Sequence, residues 1–202
     1  MTATIHVVDD DEAMRHSLAF LLKSLGHPVE SHDSAEAFLR HWRPGLAGCL
    51  VLDVRMPGMS GLELQRHLEN RGNTLSIVFL SGHGDIPMVV RAMRAGALQF
   101  LEKPCNDQVL LDAVAEGLRQ SLDAAAEWQQ TIDIQTRLEQ LTPRELAVMQ
   151  LVSEGKPNKV IAHELDISIK TVEVHRAHVM EKMDAGSVAE LTRLLLESKG
   201  KP

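Results

Sequence analysis

Aromatic residues and cysteines are scarce in this chain of 202 residues. It contains four Phe, two Trp and no Tyr, so Leu, Val, Ile, Met and Ala must fill any hydrophobic core. Its two cysteines, Cys49 and Cys105, form neither a disulfide framework nor a pair at metal-ligand spacing. No apolar run approaches the roughly 20 residues that a membrane-spanning helix needs. The N-terminal segment lacks the pattern of a secretion signal, so we expect a cytoplasmic protein that contacts no membrane.

Negative charge is unevenly distributed along the chain, whose formal net charge is −7. Residues 1–140 carry 12 Lys and Arg against 19 Asp and Glu, whereas residues 141–202 carry nine of each kind. The acidity therefore belongs to the first part. The second part does not repel nucleic-acid phosphates, but it is not strongly basic either, so a single copy is expected to bind DNA weakly.

Strand and helix patterns alternate in the first part of the chain. The five strand patterns are Ile5–Val8, Pro28–Ser31, Cys49–Leu52, Ser76–Leu80 and Leu98–Leu101. This alternation with short connections predicts a doubly wound, five-stranded parallel sheet of the flavodoxin type, an α/β fold. Asp33 and Glu36 form a capping pattern that predicts a helix over Ala35–His41. A long helix is predicted from Leu110 to about Leu138, with a shorter helix and a flexible tether as the alternative.

The pattern becomes purely helical from Leu141 onward. Thr142, Pro143 and Glu145 stand where the cap, the first position and the third position of a helix are expected. Four helices are predicted, ending near residues 153, 165, 183 and 197, and the turn 166–168 makes the second and third a helix-turn-helix. We therefore predict an α/β domain over 1–120, a helical linker over 121–140, and a separate all-α domain over 141–202.

Polar residues follow the predicted strands at their carboxyl ends. The first strand is followed by three acids and the third, fourth and fifth by one polar residue each, namely Asp9, Asp10, Asp11, Asp53, Ser81 and Lys103. Adjacent strands lie about 5 Å apart, so these side chains should converge on one pocket. Clustered carboxylates without His or Cys suit Mg²⁺, with Mn²⁺ as an alternative, and a carboxylate there can attack phosphorus. Ordinary strand-end acids without a shared role are the other interpretation.

Four segments closely resemble the receiver domain of two-component response regulators. They are Val7-Val8-Asp9-Asp10, the stretch from Leu52-Asp53 to Ser60-Gly61, Ser81-Gly82-His83-Gly84-Asp85, and Glu102-Lys103-Pro104. The similarity extends over residues 5 to about 120 and is nearest to the FixJ-like branch of the FixJ/NarL type. Because several independent motifs occur in the right order, the resemblance is specific.

The resemblance implies a role for each residue of the pocket. Asp53 would accept phosphate from a sensor histidine kinase, and Mg²⁺ would be held by Asp9, Asp10, Asp53 and the backbone carbonyl of Arg55. Lys103 would contact the phosphoryl group. Ser81 and Phe100 would form the switch pair, although Phe100 as a plain core residue is the alternative. The Lys103–Pro104 bond is expected to be cis, and Arg55 and His83 occupy positions where the family tunes phosphate lifetime.

An enzyme that acts on external phosphorylated substrates is a rival interpretation of the same pocket. Phosphatases with a nucleophilic Asp commonly need a second Asp two residues further on as general acid. Arg55 stands at that place and cannot give up a proton. We therefore expect no enzymatic activity beyond Mg²⁺-dependent self-phosphorylation and autodephosphorylation.

The third C-terminal helix carries most of the residues expected to contact DNA. Opposite its core positions lie four candidates for base edges, Lys170, Glu173, Val174 and Ala177. Five further candidates would contact phosphates, namely Lys156, Asn158, Thr171, Arg176 and Lys182. Segments 141–145, 157–162 and 170–175 closely resemble the LuxR-like (GerE-type) DNA-binding domain, and this similarity extends over 141 to about 197. A helical module that binds protein or RNA is the alternative.

These expectations combine into a phosphorylation-controlled transcriptional regulator, with activation of promoters as the expected outcome. Phosphorylation would remodel a dimer face formed by Val89, Val90, Met93 and Arg94. The two weakly binding DNA-binding domains of the dimer would then bind one DNA duplex together. RNA polymerase is a further candidate partner. The apolar stripe of Leu191, Leu194 and Leu195 is open to two interpretations, a second dimer contact or core packing.

Overall fold

A computed structural model describes residues 2–82 and 84–199 of the chain. The chain divides into two compact units, Met1–Trp128 and Gln129–Pro202. No helix among the described residues is both long enough and apolar enough to span a bilayer. His83, predicted to tune phosphate lifetime, lies outside the described residues.

The first unit contains the predicted five-stranded parallel sheet. Its strands are β1 (Thr4–Val8), β2 (Val29–His32), β3 (Gly48–Leu52), β4 (Ser76–Ser81) and β5 (Gln99–Glu102), in the order β2-β1-β3-β4-β5. Strand β3 is buried along its whole length, as expected of a central strand covered on both faces. Because the order reverses between β1 and β3, the carboxyl ends of these two strands flank the crevice in which such sheets bind ligands.

Among the described residues, five helices cover the two faces of this sheet. They are α1 (Glu12–Leu22), followed by a 3₁₀ turn over Lys23–Leu25, then α2 (Ala35–Leu39), α3 (Gly61–Leu68), α4 (Ile86–Arg94) and α5 (Asp107–Glu139). Helices α1 and α5 pack on the face that carries Ile5 and Val7. Helices α2, α3 and α4 pack on the opposite face, where Phe38 and Phe79 are fully buried. The α/β prediction is therefore confirmed.

The start of α2 differs from the predicted capping pattern. The cap is Ser34, whose hydroxyl accepts a hydrogen bond from the Ala37 backbone N–H at 3.3 Å. Asp33 lies one residue before the cap and accepts from the Ser34 hydroxyl instead. Glu36 accepts from the backbone N–H of Met59 at 3.1 Å, so its carboxylate joins a neighbouring loop. The helix also ends at Leu39, two residues earlier than predicted.

Helix α5 continues to pack on the first unit beyond residue 120. The hydroxyl of Ser121 accepts from the Gly48 N–H at 2.7 Å, and Ala125 is buried in the same core as α1. The Trp128 indole lies against Gly45 and Gly72, where an added Cβ would approach it to 2.5 Å. Residues 121–128, assigned to the linker from the sequence, thus belong structurally to the first unit.

Up to residue 199, where its described part ends, the second unit contains four further helices, α6 (Pro143–Ser153), α7 (Asn158–Leu165), α8 (Ile169–Lys182) and α9 (Val188–Lys199). The predicted capping box of α6 is present, with Thr142 and Glu145 each accepting from the other's backbone N–H. Asp166 adopts a left-handed conformation, φ 53°, in the turn between α7 and α8. Leu191 and Leu194 are buried in the core of this unit, which favours the core-packing interpretation of that stripe.

Candidate functional site

Three carboxylates meet at the carboxyl edge of the sheet. One carboxylate oxygen from each of Asp9, Asp10 and Asp53 lies within 4.8 Å of the other two. Asp9 and Asp10 follow β1, and Asp53 follows β3, so parallel pairing of neighbouring strands brings them together. Asp9 is only 2% exposed, whereas Asp10 is exposed, and the cluster therefore opens to solvent on one side.

Lys103 lies between two of these carboxylates. Its Nζ donates to Asp9 Oδ2 at 2.6 Å and to Asp53 Oδ2 at 3.0 Å. Burial lowers the pKa of the Lys103 ammonium, but the hydrogen bonds to Asp9 and Asp53 outweigh burial and hold that pKa above its ordinary value. The ammonium therefore stays charged and offsets part of the negative charge that the three carboxylates concentrate.

The backbone around Asp53 is fixed by close contacts. The Asp53 N–H donates to the Val8 carbonyl at 2.9 Å, and the Arg55 N–H donates to Asp53 Oδ1 at 3.3 Å. A Cβ on Gly61 would lie 2.2 Å from the Asp53 carbonyl oxygen, so only glycine lets α3 begin this close to the site. Arg15 also holds the site, since its Nη1 donates to the Asp9 carbonyl at 2.8 Å.

The remaining predicted residues of the first unit lie on the neighbouring strands. Ser81, the last residue of β4, is buried, and its carbonyl accepts from the Lys103 N–H at 2.9 Å. Phe100 on β5 is half-buried, with its ring 5.8 Å from the Phe79 ring. The Lys103–Pro104 bond is cis, as expected. Asp11 accepts from the Met14 N–H and so caps α1.

Helix α4 presents an apolar surface next to this pocket. Val90 and Met93 are 41% and 43% exposed, Arg94 is exposed and Val89 is half-buried. Gln65 on α3 anchors the end of α4, since its amide donates to the carbonyls of Ala92 and Ala95 at 3.0 and 3.1 Å. This role of Gln65 was not expected from the sequence. Its signal was a polar residue within the buried stripe Gly61, Leu64, Gln65 and Leu68 of α3.

The predicted base-reading residues share an open surface of α8. Lys170, Glu173, Val174 and Ala177 are exposed, and Val174 is 48% exposed. Val172 and Val179 on the other side of the helix are buried in the core. Ser168 caps the helix by accepting from the Thr171 N–H at 3.0 Å, and the exposed residues lie within the first nine positions of this helix.

Three of the predicted phosphate-contacting residues form side-chain pairs between helices of the second unit. Arg176 Nη1 donates to Asn158 Oδ1 at 3.0 Å, which joins α8 to the start of α7. Lys182 Nζ donates to Glu145 Oε2 at 2.7 Å, and His178 Nδ1 lies 3.4 Å from the other oxygen of Glu145. The hydrogen bond from Lys182 and those from Thr142 lower the pKa of Glu145 to about 2. This link between α6 and α8 was not expected from the sequence.

Two family models match the chain. The response regulator receiver domain matches residues 5–115. The luxR family of bacterial regulatory proteins matches residues 139–195. The first match contains the carboxylate cluster and Lys103, and the second contains α6, α7, α8 and most of α9.

Similar proteins and structures cover nearly the whole chain. The transcriptional regulatory protein FixJ of Rhizobium meliloti is 47% identical over 193 residues, which are 96% of this chain and 95% of that protein. The response regulator protein TodT of Pseudomonas putida is 42% identical over 95% of this chain and 85% of its own length. The solved structure of the response regulator StyR has a TM-score of 0.83 at 46% identity, covering 98% of this chain and 100% of that chain.

Proposed function

The chain belongs to the two-component response regulators that carry a LuxR-type DNA-binding domain, and we propose that phosphorylation of Asp53 by a sensor histidine kinase controls its binding to promoter DNA. The observation that supports this most directly is the cluster of Asp9, Asp10 and Asp53 with Lys103 bonded to two of its members. The proposed result is transcription regulation in the cytoplasm, with activation as the expected direction.

Phosphotransfer needs a nucleophile, a positive partner and a leaving group. A carboxylate oxygen of Asp53 attacks the phosphorus of a phosphohistidine, the P–N bond breaks as the P–O bond forms, and the departing imidazole keeps the electron pair and takes up a proton. The ammonium of Lys103 already lies 3.0 Å from Asp53 Oδ2, a position from which it can pair with an oxygen of the phosphoryl group.

The donor set of the pocket fits a magnesium ion. Asp9, Asp10 and Asp53 offer only hard oxygen ligands, with the Arg55 carbonyl as a further candidate, and the exposed side of Asp10 leaves room for water ligands. Mg²⁺, or Mn²⁺ in its place, supplies charge neutralisation of the phosphoryl oxygens when bound. We expect self-phosphorylation and self-hydrolysis there but no turnover of external substrates.

The signal leaves the pocket through β4 and β5. In the proposed switch, Ser81 turns toward the phosphoryl group and Phe100 moves inward behind it. The Phe100 ring packs closely against the backbone of Gly84, because a Cβ at that position would lie 2.8 Å from the ring. Movement of Phe100 would reach α4, since Phe100 and Met88 pack on the same core.

The exposed surface of α4 is the proposed contact with a second copy of the chain. Val89, Val90, Met93 and Arg94 provide apolar area bordered by charge, and Gln65 ties the end of this helix to α3. Dimerisation would place two DNA-binding domains on one DNA duplex. Because residues 141–202 carry no net charge, attraction to DNA phosphates adds little to the affinity of a single DNA-binding domain. In a dimer, binding of the first domain raises the effective concentration of the second and so increases the overall affinity.

The second unit is proposed to insert α8 into the major groove of DNA. Lys170, Glu173, Val174 and Ala177 would face base edges, while Thr171, Arg176, Asn158 and Lys182 would lie toward phosphates. Helix α5, which runs from the first unit into residues assigned to the second, would link the two functions. RNA polymerase remains a candidate partner at the promoter.

A gel shift with the chain's own promoter region tests the proposal. Adding a small-molecule phosphodonor should strengthen DNA binding by the wild-type chain, and Asp53→Asn should remove that gain without changing the basal binding. The matched control is Asp123→Asn, an exposed acid on α5 two residues from Ser121, which bonds the first residue of β3 at the opposite edge of the sheet. If the phosphodonor strengthens DNA binding equally in wild type and Asp53→Asn, the phosphorylation switch is refuted. If the chain binds RNA or protein but not DNA, the assignment of the second unit as a DNA-binding domain is refuted.

A further inference from the structure

A second cluster of metal-ligating side chains lies on the first two strands and shares no residue with the carboxylate pocket. His6 on β1 is paired in register with Glu30 on β2, and His32 follows two residues later on the same face. His6 Nδ1 lies 3.3 Å from His32 Nε2 and 3.6 Å from Glu30 Oε2. One ligand atom from each of the three lies within 4.8 Å of the other two.

The two imidazoles are held firmly in this arrangement. His6 is 2% exposed and His32 is 7% exposed. The Phe38 ring packs edge-on against both, at centroid distances of 5.3 and 5.5 Å. Rings fixed by packing present their nitrogen atoms in a defined geometry, as a metal site requires.

Hydrogen bonding within the protein leaves this cluster incompletely satisfied. The Nε2 atom of His6 is buried and has no hydrogen-bond partner among the described residues. Burial, followed by the charges of His32 and His41, lowers the pKa of His6 to about 4, so the ring is neutral at pH 7. His6 Nδ1 and His32 Nε2 share a hydrogen bond at 3.3 Å, and a cation bound between them would replace the proton of that bond.

The distances match those around a tetrahedral transition-metal ion. With metal–nitrogen bonds of about 2.0–2.1 Å, two ligands of a tetrahedral Zn²⁺ lie about 3.3–3.4 Å apart. The observed separations of 3.3 and 3.6 Å are close to that value. Two nitrogens and one carboxylate oxygen are a donor set that favours Zn²⁺ over Mg²⁺, in contrast to the all-oxygen cluster around Asp53.

We propose that His6, His32 and Glu30 bind one divalent transition-metal ion of the zinc class. The Glu30 side chain is 54% exposed, so the ion can enter from that side and keep a water ligand there. The ion joins the edge strand β2 to β1. It also lies close to the phosphorylation pocket, because the His32 carbonyl accepts from the Asp9 N–H at 3.3 Å.

Calorimetric titration of the full-length chain with Zn²⁺ tests the site. The buffer contains excess Mg²⁺, so that the carboxylate pocket is saturated, and one Zn²⁺ is expected per chain. Loss of even a supporting group weakens metal affinity by roughly 10–100-fold. We therefore expect at least ~100-fold weaker binding for His32→Gln and about tenfold weaker binding for Glu30→Gln. The exposed His16→Gln is the matched control and should bind as the wild type does.

A second measurement avoids dependence on how well the variants fold. Adding Zn²⁺ to the unaltered chain should shift the ring-nitrogen NMR signals of His6 and His32 and leave those of His16 in place. Co²⁺ should give the absorption bands of a four-coordinate site. Unchanged His6 and His32 signals would overturn the proposal, as would Zn²⁺ binding that Glu30→Gln leaves intact and Asp10→Asn abolishes.

Discussion

The two units differ in where they keep the residues expected to act. In the first, Asp9 and Lys103 are largely buried and bonded to each other at the edge of a sheet. In the second, Lys170, Glu173 and Val174 stand exposed on one helix, and the buried polar contact is a separate link between Glu145 and Lys182. Charged side chains that act on a phosphoryl group are most effective when they are shielded from water. Side chains that contact the bases of a DNA duplex must instead be exposed on the surface.

The units also differ in their content of aromatic residues. All four Phe and both Trp lie in residues 1–128, and residues 129–202 contain neither type. Tryptophan fluorescence therefore reports on the first unit alone, while far-UV circular dichroism reports on both. This contrast allows the effect of a substitution to be assigned to one unit within the intact chain.

Lys103→Met should have the largest effect and should confine it to the first unit. The substitution leaves the buried carboxylate of Asp9 beside Asp53 without its positive partner, which is expected to destabilise folding by about 3–5 kcal/mol in metal-free buffer. Mg²⁺ should restore part of that loss. Urea unfolding followed by tryptophan fluorescence measures both, with the exposed Lys23→Met as control. Equal stability with and without Lys103 would mean that the pocket is not enclosed.

Glu145→Gln should be the corresponding experiment in the second unit. It removes a charge-assisted hydrogen bond to Lys182 and weakens the α6 capping box, an expected loss of about 2 kcal/mol. Circular dichroism should show the loss while tryptophan fluorescence does not change, and the exposed Glu181→Gln should affect neither signal. A change in fluorescence would show that the two units do not unfold separately.

The same carboxylate predicts how acid affects the second unit. Its pKa is 4.5 in the unfolded reference and about 2 in the folded chain, so the unfolded state binds the proton more readily. The stabilisation is present above pH 4.5 and declines as the pH falls toward about 2. Glu145→Gln should flatten the stability profile of the second unit between these limits. A profile that keeps its slope in the variant would assign the acid sensitivity to other groups.

Glu173→Gln should change sequence preference and leave stability untouched. Glu173 is exposed, and a carboxylate that accepts from one base discriminates against the others, so discrimination at one base pair should fall by about 1 kcal/mol. Competition binding with single-base variants of the site measures this. Thr171→Val should instead weaken all sequences alike, because phosphate contacts carry no sequence information.

Met93→Ala should have the smallest effect on folding, within about 0.5 kcal/mol, because the side chain is already 43% exposed. Dimer formation after addition of a phosphodonor should nevertheless weaken, as sedimentation velocity would show. Phe20→Ala removes a comparable exposed apolar group from α1 and should leave dimerisation unchanged. If both variants dimerise like the wild type, α4 is not the contact.

The sheet and its acidic edge could be predicted because both follow from local patterns. Apolar runs ending in acids give the strands, and parallel pairing brings Asp9 and Asp53 together without further information. The cap of α2 could not be assigned reliably, because Asp33 and Ser34 are neighbouring residues with similar capping preference. The Glu145–Lys182 link joins residues 37 positions apart on different helices, and no periodicity marks such a pair.

The placement of Trp128 has a consequence for any attempt to study the first unit by itself. Its indole fills the space above Gly45 and Gly72, and Ser121 satisfies the N–H of Gly48 from the same helix. A fragment cut at residue 120 would expose Gly45 and Gly72 to solvent and leave the Gly48 N–H without its hydrogen-bond acceptor. A fragment that extends through Trp128 should therefore be more stable than one cut at residue 120.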